Sequence, residues 1–216
     1  MLTPYDRAGA PFLSGLATCT THLETDEVIE IVRSRAGEAE LNDLLRHAVN
    51  RLVRPQAWIV EREVSDRDHG LSRVDLAMTE TGSGMRFAWV EAKLKYASDA
   101  VDSPDVFIDG GNSIAKDAGK LLARSTDTPA FLLTWVPYVS YSTYALRYGA
   151  GHSHGDDGWR VRLDLDQCRA ASASLLRQFG DVERVEVHSG TGQFGALVLD
   201  AWWTPLAPQD TKAKRD

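Results

Sequence analysis

Apolar residues recur along this chain with two different periods. Between residues 38 and 53, Leu41, Leu44, Leu45, Ala48 and Leu52 fall at i, i+3, i+4, i+7 and i+11, the spacing of one buried helix face, and Pro55 stops the run. A shorter helix is predicted over 26–35, with Thr25 as its cap, Val28, Ile29 and Val32 as its apolar side, and Gly37 as the break before the next. Period two takes over at 57–65, where Trp58, Val60 and Val64 alternate with Glu61 and Glu63. Residues 72–96 predict two strands joined by a Gly/Ser turn at 81–85.

Beyond residue 96, a stretch rich in Asp, Ser and Gly (97–111) is expected to be loop. Asn112 or Ser113 then caps a helix through Arg124, with Ile114, Ala118, Leu121 and Leu122 on one face. The run 129–136 has the length and apolarity of a strand buried on both faces. Asp164 or Asp166 opens a helix through Phe179, with Cys168, Ala171, Leu175 and Phe179 on one side and Gly180 as its stop. Strands at 182–188 and 196–203 follow. Residues 1–24, with Pro4, Pro11 and Gly15 early on, are expected to form an arm, and the polar stretch 205–216 a frayed tail. The expected whole is a single α/β domain with its core at about 37–138: a mixed central sheet flanked by helices, with a C-terminal helix and two-strand extension.

Chemistry enters on the two strands of 72–96. Phe87, Trp89, Glu91 and Lys93 share one face, and Ala88, Val90, Ala92 and Leu94 the other. Asp75 lies between Val74 and Leu76 and is expected opposite to both. Two acids and a lysine on central strands need a partner, because unpaired buried charge is costly. Two carboxylates converging on a point suit a hard divalent cation. On the helix of 38–53, Glu38 lies on the core side of the first turn and Glu40 towards its flank. Asp117, Lys120 and Arg124 form a polar stripe on the helix that follows the Glu-x-Lys strand. His69 sits in the tight turn 66–70, Tyr138, Tyr141, Tyr144 and Tyr148 surround Arg147, and a Gly-rich loop carries His152, His154, Asp156 and Asp157 without the spacing of a zinc site.

The order is helix with Glu38, strand, Asp75 strand, Glu91-x-Lys93 strand, helix, strand. It resembles the PD-(D/E)XK nuclease superfamily, which includes restriction endonucleases and Holliday-junction resolvases, and Gly37-Glu38-Ala39-Glu40-Leu41 is similar to the resolvase helix start. The resemblance covers about half of the chain. It implies a restriction endonuclease-like fold and a Mg²⁺-dependent endonuclease or exonuclease acting on DNA, in bacterial defence, restriction or repair, with Mn²⁺ as a substitute metal. It further implies Asp75, Glu91 and Glu38 as metal ligands, Lys93 as the catalytic lysine, and Arg73, Lys95 and Lys120 as nucleic-acid contacts, with Glu40 in reserve for Glu38. Duplex-cutting relatives imply a homodimer. The rival expectation is a catalytically inactive nuclease-fold module that binds nucleic acid or protein.

Composition adjusts this picture at two points. A formal charge of −7 over 216 residues argues against a protein that coats nucleic acid broadly, while leaving room for a local basic cleft. Cys19 and Cys168, far apart, and the absence of a long apolar run or leader pattern lead to the expectation of a reduced, cytoplasmic protein with no membrane partner.

Overall fold

The computed structural model describes residues 3–66, 71–110, 113–124, 128–141 and 164–206. It is an α/β structure built on a mixed six-stranded sheet flanked by helices. The strands are β1 (Trp58–Asp66), β2 (Leu71–Glu80), β3 (Arg86–Leu94), β4 (Ala130–Tyr141), β5 (Glu183–Thr191) and β6 (Gly195–Leu206), in the order β1-β2-β3-β4-β6-β5. Among the described strands only β3 and β4 run parallel, and a crossover that includes helices α4 (Ala97–Asp102), α5 (Pro104–Asp109) and α6 (Ile114–Arg124) joins them. On one face the sheet packs against α1 (Pro4–Leu16), α2 (Thr25–Arg33) and α3 (Gly37–Val53). The other face carries α4–α6 and α7 (Leu165–Leu176). No described helix is long and apolar enough to cross a membrane.

Two apolar clusters divide the strands by parity, as period two requires. Ala88, Val90 and Ala92 of β3 join Leu41, Leu45 and Val49 of α3, whereas Trp89 joins Ile114, Ala118 and Leu121 of α6. Glu91 and Lys93 therefore point to the α6 side. Phe87 departs from this: the register with β2 slips between Met78 and Thr79, and its ring packs instead on Trp58, with centroids 4.8 Å apart.

The structure corrects several expectations. Residues 1–24 are not a loose arm. Pro4 stands in the first turn of α1, where its missing N–H costs nothing, and Thr3 and Asp6 close a capping box. Ala8, Phe12 and Leu16, spaced by four, are buried in the core. Gly15 lets α1 approach α3 closely, since a Cβ there would sit 2.5 Å from Val49. Residues 97–109 form two short helices that bury Ala97, Ala100, Phe107 and Ile108, with Pro104 in the first turn of the second. In α3, Val53 rather than Leu52 completes the buried stripe, and Leu52 is exposed. Glu24, not Thr25, caps α2, because the Thr25 hydroxyl is engaged with His188 at 3.2 Å. Strand β6 runs through Pro205 to Leu206, so the tail begins later than expected. His69, Tyr144, Arg147, Tyr148, the loop with His152–Asp157 and residues 207–216 lie outside the described residues.

Candidate active site

The site lies where β2 and β3 part. Their ladder ends at Leu76 opposite Val90, while β3 continues to Leu94 alongside β4. Asp75 stands just past that last rung, and its carboxylate takes over the ladder by accepting from the Ala92 N–H at 2.8 Å. The strict alternation expected around Asp75 breaks here. Val74 is buried on the α6 side and Leu76 on the α3 side. Across from Asp75 in β1, Glu63 adopts the left-handed φ of 56°, which twists the pair of strands at this point.

Three elements bring charge to this opening. From α3, Glu38 reaches the end of β3, where Oε2 accepts from the Leu94 N–H at 2.9 Å. Gly37 allows that approach: a Cβ there would fall 2.4 Å from the Ile31 carbonyl and 3.2 Å from the Leu94 side chain. Glu40 turns away to accept from Ser34 at 3.0 Å, so the helix acid of the site is Glu38. From β3 come Glu91 and Lys93, only 3% and 8% exposed. From α6 come Asp117 and Lys120, one turn apart on the face that meets β3.

Lys93 is the centre of the cluster. Its Nζ lies 3.0 Å from Asp117, 3.6 Å from Asp75 and 3.9 Å from Glu38, and donates to the Ala92 carbonyl at 2.8 Å. Burial works against its charge, but Asp75, Glu38 and Asp117 outweigh burial and raise its pKa above that of an ordinary lysine. Lys93 is thus held as an ammonium by the three acids around it. Lys120 bonds Glu91 and the Arg73 carbonyl. Even so, burial first and then Asp75, close enough to share a hydrogen bond, push the Glu91 carboxyl up to about 8. Glu38 is likewise raised by burial, with Lys93 and the Leu94 N–H pulling it back.

The charges of this cluster do not balance. Four carboxylates (Glu38, Asp75, Glu91 and Asp117) face two amines (Lys93 and Lys120). The Asp75–Glu91 pair offers hard oxygen donors to a cation, and Mg²⁺ is commonly held by one or two carboxylates while keeping several waters. The pair fits that requirement. A closed three-ligand site is a different matter: among the described residues no group of three His, Cys, Asp or Glu is arranged to hold a metal ion, and Glu38 lies towards Lys93 and the end of β3.

The other expected contacts diverge. Lys120 belongs to the site, through Glu91. Arg73 is at its rim, exposed and ion-paired to Glu63 at 2.5 Å. Lys95 is drawn inward instead of outward to a phosphate. It is buried, donates to the Val106 carbonyl at 3.2 Å, and burial lowers its pKa despite Asp99. Asp117 is the site residue that sequence reading left as a surface acid. The available signal was its i, i+3 spacing to Lys120 on the helix after the Glu-x-Lys strand. Compared with known proteins, the chain matches no family model, no curated protein and no solved structure.

Proposed function

We propose that this chain is a divalent-metal-dependent nuclease hydrolysing phosphodiester bonds of DNA, on a restriction endonuclease-like sheet. The observation that carries the reading is the Asp75–Glu91 carboxylate pair at the parting of two strands, with the Lys93 ammonium fixed beside it. With Glu91 deprotonated, the four carboxylates exceed the two amines by two charges, the amount that one divalent cation offsets. When bound, Mg²⁺ or Mn²⁺ would supply a Lewis acid for the phosphodiester and a water of lowered pKa. Asp75 and Glu91 would hold it, Glu91 giving up the proton that its raised pKa favours. Lys93 would direct its ammonium, from a position held by Asp117, at the charge that develops on the phosphoryl oxygens. Lys120, which bonds Glu91 here, would be free for a phosphate where Glu91 holds the cation. Asp117 acts through Lys93 and is a positioning residue.

The test is cleavage of plasmid, linear duplex and single-stranded DNA, with Mg²⁺ or Mn²⁺ against EDTA, by the wild type beside Lys93→Ala. Metal-dependent cutting that Lys93→Ala lacks supports the reading; equal rates from both proteins sink it. One observation favours a second reading, a nuclease-fold module without turnover: Lys93 and Lys120 already engage Asp75 and Glu91, and among the described residues no group of three His, Cys, Asp or Glu is arranged to hold a metal ion. Calorimetric titration with Mg²⁺ and Mn²⁺ separates the two, since the module would take up neither ion.

A further inference from the structure

At the far end of α3 from Glu38 lies a groove of about 750 Å³ lined by Arg46, His47, Asn50, Arg51, Arg54 and Trp58. Its construction is specific. The Asn50 side chain accepts from the Val60 N–H at 2.6 Å and donates to the Val60 carbonyl at 3.0 Å, which fastens the start of β1 to α3. That bond fixes the depth of the cleft between helix and strand. His47, Arg51 and Arg54 follow at i, i+4 and i+7 along the exposed side of the chain there. Arg46 is held by Asp43 at 3.1 Å and approaches His47 at 3.3 Å. Arg51 and Arg54, by contrast, make no ion pair among the described residues. Arg7 covers one side of the Trp58 ring at 5.3 Å, adding a further cation at the edge.

The helix dipole explains one basic residue in the last turn of α3. It does not explain three arginines and a tryptophan around one concavity in a chain of charge −7. Guanidinium groups match phosphate oxygens in bidentate geometry, and unpaired ones carry no competing partner. We infer that this groove is a second phosphate-binding site, which holds the backbone of a nucleic-acid strand away from the site at Asp75 and Glu91. The class of ligand rests on the nuclease reading; the anion chemistry does not. From Glu38 to Arg51 along α3 is about 20 Å at 1.5 Å per residue. That axial span is about six base pairs of duplex at 3.4 Å each, the least length of strand that would join the two sites.

The experiment is fluorescence anisotropy of a labelled oligonucleotide, single-stranded and duplex, with the full chain in EDTA over a range of salt concentrations. Arg51→Gln/Arg54→Gln should bind roughly ten- to a hundredfold more weakly. It should also lose salt dependence, by about 0.9 in log–log slope per phosphate contact removed on duplex. Both substitutions are at exposed positions, and a thermal melt matching wild type establishes that the variant is folded. Unchanged affinity and slope overturn the proposal. Displacement of the oligonucleotide by AMP or inorganic phosphate at equal phosphate concentration also overturns it, because the ligand is then a small phosphate ester. Cleavage is measured separately. A protein that never cuts but binds through Arg51 and Arg54 refutes the nuclease and keeps the groove, whereas cutting with unaltered binding by the variant does the reverse.

Discussion

Glu91 and Asp200 are both buried acids on strands of one sheet, and their surroundings neutralise them in opposite ways. Asp200, fully buried in β6, receives Arg169 Nε at 2.7 Å on one oxygen and Arg169 Nη2 at 3.0 Å with Arg184 at 2.9 Å on the other. Glu186 takes up the remaining capacity of Arg169 at 2.8 Å, and the hydrogen bonds that Arg169 donates to Asp200 raise the arginine's pKa beyond its ordinary value. Two acids thus meet two guanidinium forks, and both oxygens of Asp200 are satisfied. Around Glu91 the acids outnumber the amines by two, the bonds come from single ammonium points, and the carboxyl is pushed up to about 8. A closed, balanced cluster locks strands to a helix. An unbalanced one leaves a carboxyl strained, and that strain is what the proposed site rests on.

The sharpest way to break this comparison is to remove the two central cations or acids in turn. Lys93→Ala should lower cleavage on the order of a thousandfold, the scale of a lost electrostatic contact in the transition state. Because Lys93 balances three acids, the variant should also be less stable, so rates are normalised to the folded fraction by circular dichroism. Asp200→Ala should cost about 1–3 kcal/mol in denaturant unfolding by leaving half-buried Arg169 with Glu186 alone, while the folded remainder keeps its specific activity. A Lys93 variant that lost only stability, or an Asp200 variant that lost only activity, would merge the two clusters into one class.

Asp117→Asn should lower cleavage about ten- to a hundredfold by removing a charge-assisted bond to Lys93. It should also bring the pKa of Lys93 down, so the alkaline limb of the pH–rate profile moves to lower pH. An unshifted profile makes Asp117 merely structural. Metal should separate the clusters as well: saturating Mg²⁺, at about a hundred times its dissociation constant, should stabilise the wild type by about 2.7 kcal/mol and Asp75→Asn far less.

A last effect concerns pH. Glu91 has a higher pKa folded than unfolded, so the folded state binds the extra proton between about 4.5 and 8. Stability attributable to this group is therefore fully present below that window and is lost as pH rises through it. Glu91→Gln, which has no proton to lose, should be nearly neutral at pH 5 and stabilising at pH 8, each kcal/mol reading as about 2–4 °C in Tm. An equal Tm difference at both pH values contradicts the strained carboxylate.

What the sequence by itself determined was the local part. Period two separated Glu91 and Lys93 from Val90 and Ala92, and period 3.6 put Glu38 on the core side of α3, because each depends only on a residue's neighbours in the chain. The approach of Asp75 to Glu91 followed from strand order and is matched by the β2–β3 register. Other features were decided only in three dimensions. Prolines at 4 and 11 read as breakers, yet α1 forms because its buried side fills the space against Phe131, Trp203 and α3. Lys95 follows the same alternation as Lys93, but the fold of α5 over it turns an exposed-looking cation inward. Asp117 lies 24 residues after Lys93, and its distance of 3.0 Å is set by how α6 crosses β3. The charge balance at each acid is likewise a sum over separate elements, and no local pattern in the chain encodes that sum.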